Sequence, residues 1–286
     1  ELTRNAAGDL FISQRRFAEA LLERTDMLDA HPTDTPLPVD AYHRALQPST
    51  LVSSPPRRSF YLAVSGSLNY LATWTRIDLA FTSSFHGRSN SSPKDVHFSL
   101  QKHSLRFLRG TVADGLVYRK SSLPVVLDAE VDSDWASDSA DRHSQAGGIV
   151  FINSMPVSWT SRKERVCAQS VTEAEYVAMT PIIKELVWTR NLLAELGNPM
   201  RAATPLGVDN AGAVAVTQND GGLLRTMKHI ELRYHYARAM VQAAVVRPFH
   251  VRSTDNRADL LTKATSPATT ARHRAKLMAP CPVEEG

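Results

Sequence analysis

The stretch Val125-Val126-Leu127-Asp128-Ala129-Glu130-Val131-Asp132-Ser133-Asp134-Trp135 begins as an apolar run and ends in acids. Its first part is typical of a β-strand bounded by turn-rich sequence. Two more strand patterns follow at residues 148–152 and 157–160, and the three together predict a strand meander. Asp132 then lies where the first strand of the meander ends, which makes it a candidate site residue.

Beyond the meander, helical and strand patterns alternate. Residues 173–196 place apolar side chains at helical spacing and predict one long helix, which Pro181 is expected to kink near its first turns. The remainder predicts strands at 205–208 and 245–251 and helices at 210–217, 230–241 and 256–263. This order predicts an α/β fold in which helices flank a mixed five-stranded sheet.

The first 120 residues have a mainly helical pattern. We predict a short strand and a helix within residues 10–29, helices near 61–71 and 93–108, and a strand at 115–119. Prolines at six positions between His31 and Arg58 predict a long loop or linker.

Four acidic residues lie at the ends of predicted elements: Asp132, Glu175, Asp209 and Asp259. Asp132 lies at the end of a predicted strand, and Asp209 directly follows another. Glu175 lies in the first turn of the long helix, and Asp259 lies one turn inside the last helix. Strand ends and helix starts can converge on one edge of such a sheet. Because Mg²⁺ prefers oxygen ligands, these acids predict a metal site of the kind that nucleases use.

Each acid also has a structural interpretation. The spacing Thr172-x-x-Glu175 is that of a capping box, and Asp209 could cap the helix that follows it. The pair Asp132-x-Asp134 could form a surface turn or the metal-binding pair of a sugar-nucleotide transferase. Asp259 is the least easily explained in this way, because Asp255 is already available as a cap for the last helix.

Composition limits the class of protein. The chain has 286 residues, 43% of them hydrophobic, which suits one large domain or two modest ones. Cys167 and Cys281 are too few for a disulfide framework or a structural zinc site, so we expect a reducing, intracellular location. No apolar run approaches the roughly 18 residues of a membrane span. The chain starts at Glu1 rather than Met, so we expect it to be a piece of a longer protein.

Basic residues are concentrated in one segment. The formal net charge is +4, but residues 41–120 contain 11 Lys or Arg and only 3 Asp or Glu. Such a segment beside an acidic site fits a polyanion that is held in one place and cut in another. Lys102, Arg106 and Arg109 on one predicted helix are the candidate nucleic-acid contacts; a solvated basic face is the alternative.

Several motifs resemble the carboxy-terminal part of the Pol polyprotein of copia-type LTR retrotransposons. The motifs similar to the ribonuclease H domain of that family are Asp132-Ser133-Asp134-Trp135-Ala136, Val157-Ser158-Trp159-x-Ser161-Arg162-Lys163, Thr172-Glu173-Ala174-Glu175-Tyr176, Lys228-His229-Ile230-Glu231-Leu232-Arg233-Tyr234-His235 and Ala258-Asp259-Leu260-Leu261-Thr262-Lys263. Upstream, Thr75-Arg76-Ile77-Asp78-Leu79-Ala80-Phe81 and Leu105-Arg106-Phe107-Leu108-Arg109-Gly110-Thr111 resemble the end of the reverse transcriptase.

The resemblance implies three domains: a reverse transcriptase thumb or connection region at 1–120, a ribonuclease H-like domain at 121–268 and a tail at 269–286. It also implies catalysis by Asp132, Glu175, Asp209 and Asp259, with Asp134 as a neighbour. We predict two Mg²⁺ ions about 4 Å apart, with Mn²⁺ as an alternative metal. Asp132 is expected to bridge the ions, Glu175 and Asp209 to hold mainly one, and Asp259 to hold the other.

The implied partners are an RNA/DNA hybrid and the upstream reverse transcriptase palm of the same polyprotein, with no membrane. The expected location is cytoplasmic, in virus-like particles. The polymerase motif Tyr-x-Asp-Asp does not occur in the chain, so no polymerase activity is expected from it. Ribonuclease H enzymes of other branches have a His in a loop before the last acid. His250 precedes Asp259 but lies in a predicted strand, so we assign it no catalytic role.

The sequence departs from the family pattern at Ile77, His103 and Val171, where the family usually has Pro, Arg and often Ser. These departures affect packing or substrate contacts rather than the acids. An integrase or transposase is disfavoured because it has a different order of acids. The remaining alternative is an inactive or domesticated fragment that only binds nucleic acid.

Overall fold

The computed structural model describes residues 1–51, 54–135, 142–165, 167–218 and 232–282, without the side chains of residues 232–235. They form two compact units. The first unit contains residues 1–121 and the described residues from Lys263 onward, and the second contains Ser122–Thr262. The functional domains expected at 1–120, 121–268 and 269–286 stay a prediction; in the structure, residues 263–268 belong to the first unit.

The elements follow one another in the two units. Up to residue 121 they are β1 (Leu2–Arg4), β2 (Leu10–Ile12), α1 (Arg15–Arg24), α2 (Ala41–Leu46), α3 (Pro55–Trp74), α4 (Ala80–Gly87), α5 (Asp95–Gly110) and β3 (Asp114–Tyr118). The second unit contains β4 (Leu127–Asp134), β5 (Gln145–Ile152), β6 (Met155–Lys163), α6 (Val171–Glu195), β7 (Thr204–Val208), α7 (Ala211–Gln218), α8 (Leu232–Gln242) and β8 (Val246–His250). The chain then forms α9 (Pro267–Leu277) and β9 (Ala279–Pro280).

A mixed five-stranded sheet organises the second unit, in the order β6-β5-β4-β7-β8. Strands β4, β5 and β6 pair antiparallel as the predicted meander, whereas β4 with β7 and β7 with β8 pair parallel. Apolar residues of β4, β5, β7 and α6 form its buried core. The predicted α/β fold with a mixed five-stranded sheet is therefore confirmed.

Two adjacent glycines in β5 let other elements approach the sheet closely. A Cβ atom at Gly148 would lie 2.2 Å from Ile182 Cδ1 of α6. On the opposite face, a Cβ atom at Gly147 would lie 2.6 Å from Leu261 Cβ. Successive residues of a strand face opposite sides of the sheet, so this pair admits α6 on one face and the 3₁₀ turn Arg257–Leu261 on the other.

The first unit combines its helices with an antiparallel four-stranded sheet in the order β1-β2-β3-β9. Its most deeply buried charges are Arg76 and Asp78, which form two hydrogen bonds of 2.9 and 2.8 Å. Arg274 of α9 donates to Asp78 at 2.9 Å and also to Asp114. Because removing one partner of a buried ion pair leaves an uncompensated charge, this network fastens α9 to the rest of the unit.

Several predicted elements differ from those observed. The loop expected between His31 and Arg58 contains α2, and α3 already begins at Pro55, because proline is well tolerated in the first turn of a helix. Helix α6 continues through Pro181. The helix expected at 256–263 is a shorter 3₁₀ turn, and α4 and α9 were not predicted. Among the described helices, none has the length and apolar character needed to cross a membrane.

Candidate functional site

Strand register brings Asp132 and Asp209 together. In the parallel pair of β4 and β7, Val131 is the partner of Val208. The residue after each valine is an acid, Asp132 in one strand and Asp209 in the other. Asp132 is buried near the end of β4, and Asp209 lies partly buried directly after β7. Carboxyl ends of adjacent parallel strands form one edge of a sheet, and the two carboxylates meet there.

Helix α6 supplies the third carboxylate. Glu175 lies in the second turn of this helix, is 2% exposed, and accepts a hydrogen bond from the backbone N–H of Ser133 at 2.9 Å. That bond fixes one oxygen, Oε1, against the end of β4. The other oxygen, Oε2, is buried and accepts no hydrogen bond from an N–H or O–H group in the described part of the chain.

Asp132, Glu175 and Asp209 form one group of potential metal ligands. One carboxylate oxygen from each residue lies within 4.8 Å of the others. Burial raises the pKa of Glu175 well above its usual range, and the charges of Asp132 and Asp209 raise it further, against the Ser133 hydrogen bond that lowers it. A donor set made only of carboxylate oxygens, one of them buried without a donor, fits a hard divalent cation.

The helix caps are provided by neighbours of these acids. Ser170 caps α6 by accepting from Glu173 N–H at 3.1 Å, so the capping-box interpretation of Glu175 was wrong. Asn210 accepts from the N–H of Ala213 at 2.9 Å and occupies the capping role considered for Asp209. In both places a neighbouring side chain caps the helix, and the acid is directed into the carboxylate group.

The fourth predicted acid, Asp259, lies outside this three-carboxylate group. It is 7% exposed and sits on the 3₁₀ turn, which Asn256, rather than Asp255, caps. A residue not singled out from the sequence, Thr262, links this turn to the group. Its buried hydroxyl donates to Asp132 Oδ2 and is 3.2 Å from the carbonyl oxygen of Asp259. Only its place in the Ala258–Lys263 motif could have indicated it.

The predicted nucleic-acid contacts lie on α5. Arg106 donates from Nε to the carbonyl of His31 at 2.6 Å, and Arg109 donates from Nε to the carbonyl of Leu28. Lys102 and Arg106 line a groove of about 260 Å³ together with Arg44 of α2. None of the described residues that line this groove is acidic. Arg44, whose Nε is 2.7 Å from Asp40 Oδ1, was not predicted from the sequence as a nucleic-acid contact.

Two other residues considered from the sequence are not members of the carboxylate group. Asp134 ends β4 opposite Gln145, and His250 is exposed at the end of β8. The part of the Lys228–His235 motif up to Glu231 lies outside the described residues.

Comparisons with known proteins identify the relatives of this chain. It is 38% identical to the retrovirus-related Pol polyprotein from transposon RE2 of Arabidopsis thaliana over 257 residues, or 90% of the chain. It is 34% identical to the retrovirus-related Pol polyprotein from transposon TNT 1-94 of Nicotiana tabacum over 259 residues, or 89% of the chain. Over nearly its whole length, the chain is similar to copia-type retrovirus-related Pol polyproteins from transposons. It spans only 17% and 19% of the length of these two relatives.

No protein-family model matches this chain. Among solved structures, LC11-RNase H1 in complex with an RNA/DNA hybrid is similar over 48% of this chain and 93% of that chain. The TM-score of that match is 0.34 and the sequence identity is 14%.

The raised pKa of Glu175 predicts how stability changes with pH in a metal-free buffer. A carboxyl whose folded-state pKa is raised contributes stability below its unfolded pKa, and this contribution is lost as pH rises through the folded pKa. Glu175→Gln removes that loss, so at pH 8 in EDTA we expect its Tm to be higher than that of wild type. The difference should disappear near pH 4.

Thermal unfolding followed by circular dichroism measures this effect. Glu195→Gln, at the exposed end of α6, is the matched control and should leave Tm unchanged at both pH values. A Glu175→Gln protein that is less stable than wild type at pH 8 would contradict the proposed repulsion among the three carboxylates.

Proposed function

We propose that this chain is a ribonuclease H that hydrolyses the RNA strand of RNA/DNA hybrids during reverse transcription. The observation that carries the proposal is the group of Asp132, Glu175 and Asp209, whose oxygens lie within 4.8 Å of one another at the carboxyl ends of two parallel strands. The similarity to retrovirus-related Pol polyproteins from transposons supports the same activity. Asp259 is proposed as the fourth catalytic acid.

Two Mg²⁺ ions, with Mn²⁺ as an alternative, fit these residues. We propose that Asp132, Glu175 and Asp209 would hold one ion, and that Asp259, together with Asp132, would hold the other. Bound in this way, the ions would supply an activated water and charge stabilisation for in-line displacement at a phosphodiester. Oxygen from water forms the new bond to phosphorus, the bond to the 3′ oxygen breaks, and a proton passes to that oxygen.

The protein's own contribution is to hold four carboxylates in place before substrate arrives. Ser133 N–H fixes Glu175, and the Thr262 hydroxyl fixes Asp132, so neither side chain needs to reorganise. RNA would be distinguished from DNA by its 2′-hydroxyls and by the groove shape of the hybrid. We also propose that the chain works beside the reverse transcriptase palm of its polyprotein, in cytoplasmic virus-like particles, and has no polymerase activity of its own.

Substitution of single acids tests the activity. With a hybrid whose RNA strand is labelled, wild type and Mg²⁺ should yield shortened RNA and intact DNA, whereas Asp132→Asn should lower the rate by at least ~100-fold. The matched control is Asp134→Asn, two residues along the same strand, which should keep the wild-type rate within about twofold. Gel electrophoresis of the labelled strands measures both rates.

Two results would refute the enzyme proposal. One is a wild-type chain that leaves the RNA intact in Mg²⁺ and in Mn²⁺ while still binding the hybrid, which is the behaviour of a nucleic-acid-binding remnant. The other is equal cleavage by Asp132→Asn, which would point to a contaminating nuclease.

We further propose that Lys102, Arg106 and Arg109 contact the phosphates of the hybrid, and that Arg44 joins them. The acid-free groove between α2 and α5 supports this for Lys102, Arg106 and Arg44, because these three cationic side chains line one depression of about 260 Å³. Contacts of this kind position the substrate and carry no sequence preference.

Salt dependence of binding tests these contacts. Lys102→Gln should weaken hybrid binding by a similar factor for unrelated sequences and reduce the slope of log affinity against log salt by about 1. Arg58→Gln is the control, because Arg58 is an exposed cation of α3 that does not line the groove. Fluorescence anisotropy with catalytically inactive Asp132→Asn protein measures the slope without cleavage. An unchanged slope for Lys102→Gln would remove this residue from the interface.

A further inference from the structure

Strand β4 carries acids at four alternate positions: Asp128, Glu130, Asp132 and Asp134. Alternate residues of a strand lie on the same face of a sheet, so these carboxylates form a row. Ala129 and Val131, between them, belong to the core that packs against α6. The row therefore lies on the opposite face, which the turn bearing Asp259 covers.

Arg257 binds the first half of this row. Its backbone N–H donates to Glu130 Oε2 at 2.6 Å, and its Nε and Nη2 donate to Glu130 Oε1 at 3.0 and 2.8 Å. Nη2 is also 3.4 Å from Asp128 Oδ2. The guanidinium lies 3.5 Å from the ring centre of Phe151 in the neighbouring strand. Opposite charge, two guanidinium donors on one Glu130 oxygen and a cation–π contact with Phe151 thus hold Arg257 in one orientation.

Residues on both sides of Asp259 attach the turn to consecutive positions of the strand. Arg257 is bound to Glu130, Asn256 donates to the carbonyl of Val131 at 2.9 Å, and Thr262 donates to Asp132. Asp259 lies between these anchors, so its position relative to Asp132 is set by how firmly the turn is held. Glu130, engaged by three donors, is at the same time kept from acting as a competing ligand.

We propose that Arg257 is a positioning residue of the metal site: by binding Glu130 it holds the turn that presents Asp259 opposite Asp132. The inference rests on the proposed function. In the described part of the chain, the side-chain hydrogen bonds of Arg257 go to Glu130 and Asp128, so its effect on the site is exerted through the turn. Groups that orient metal ligands from outside the ligand set commonly change metal affinity by 10- to 100-fold when they are removed.

Arg257→Gln tests the role, with Mg²⁺ binding measured by isothermal titration calorimetry and cleavage measured against Mg²⁺ and against hybrid. We expect the Mg²⁺ dissociation constant and the Mg²⁺ concentration for half-maximal cleavage to rise about 10-fold, while KM for the hybrid changes less than about twofold. Arg257→Lys, which keeps the charge but loses the fork, should fall between Arg257→Gln and wild type.

Two controls separate positioning from general loss of stability. Arg252→Gln changes an exposed arginine upstream of the same turn and should leave Mg²⁺ binding unchanged. Val246→Ala removes buried methyl groups from β8; it should lower Tm without changing the Mg²⁺ requirement.

The outcomes distinguish the inference from the proposed function. If wild type binds Mg²⁺ and cleaves, and folded Arg257→Gln shows the wild-type Mg²⁺ requirement, the positioning role is refuted and the proposed function stands. If Val246→Ala raises the Mg²⁺ requirement as much as Arg257→Gln, the effect is one of stability and the role is again refuted. If wild type neither binds Mg²⁺ nor cleaves, the proposed function fails and the positioning role fails with it.

Discussion

Mutual repulsion among three carboxylates, two buried and one partly buried, is the constraint on which the second unit depends. Asp132, Glu175 and Asp209 place oxygens within 4.8 Å of one another, and two of these side chains are only 2% exposed. Withdrawal from water and like charge both disfavour ionisation, which is why the pKa of Glu175 is raised. A divalent cation offsets both effects at once. The group therefore lowers the stability of the folded chain when no metal is bound, and it is suited to binding a divalent cation.

The rest of the unit holds this repulsive group in place. Parallel pairing of β4 with β7 fixes the first and third acids by register, and the Ser133 N–H fixes Glu175. The glycine pair in β5 allows α6 and the 3₁₀ turn to reach opposite faces of the same sheet. Caps at Ser170, Asn210 and Asn256 satisfy the backbone at the three helix starts nearest the acids. These features are packing and hydrogen bonds, yet each of them determines where a carboxylate lies.

Much of this arrangement could be predicted from the sequence, because it depends on local patterns. Alternating apolar runs predicted the meander and the strands before Asp132 and Asp209, and helical spacing predicted α6. The sequence could not show which residue caps each helix, since Ser170 and Asn210 suit a cap as well as Thr172 and Asp209, the candidates that were considered. Nor could it show the pairing of Arg257 with Glu130, which joins residues 127 positions apart. Such a contact depends on the tertiary fold alone.

The claim that the four acids form one metal site is tested most directly by a crystal structure of the chain soaked with Mn²⁺, in which anomalous scattering locates the ions. We expect two anomalous peaks, both within bonding distance of Asp132. One ion should also be bound by Glu175 and Asp209, and the other by Asp259. Absence of any ion at Asp132 under saturating Mn²⁺, with all four side chains ordered, would contradict the claim.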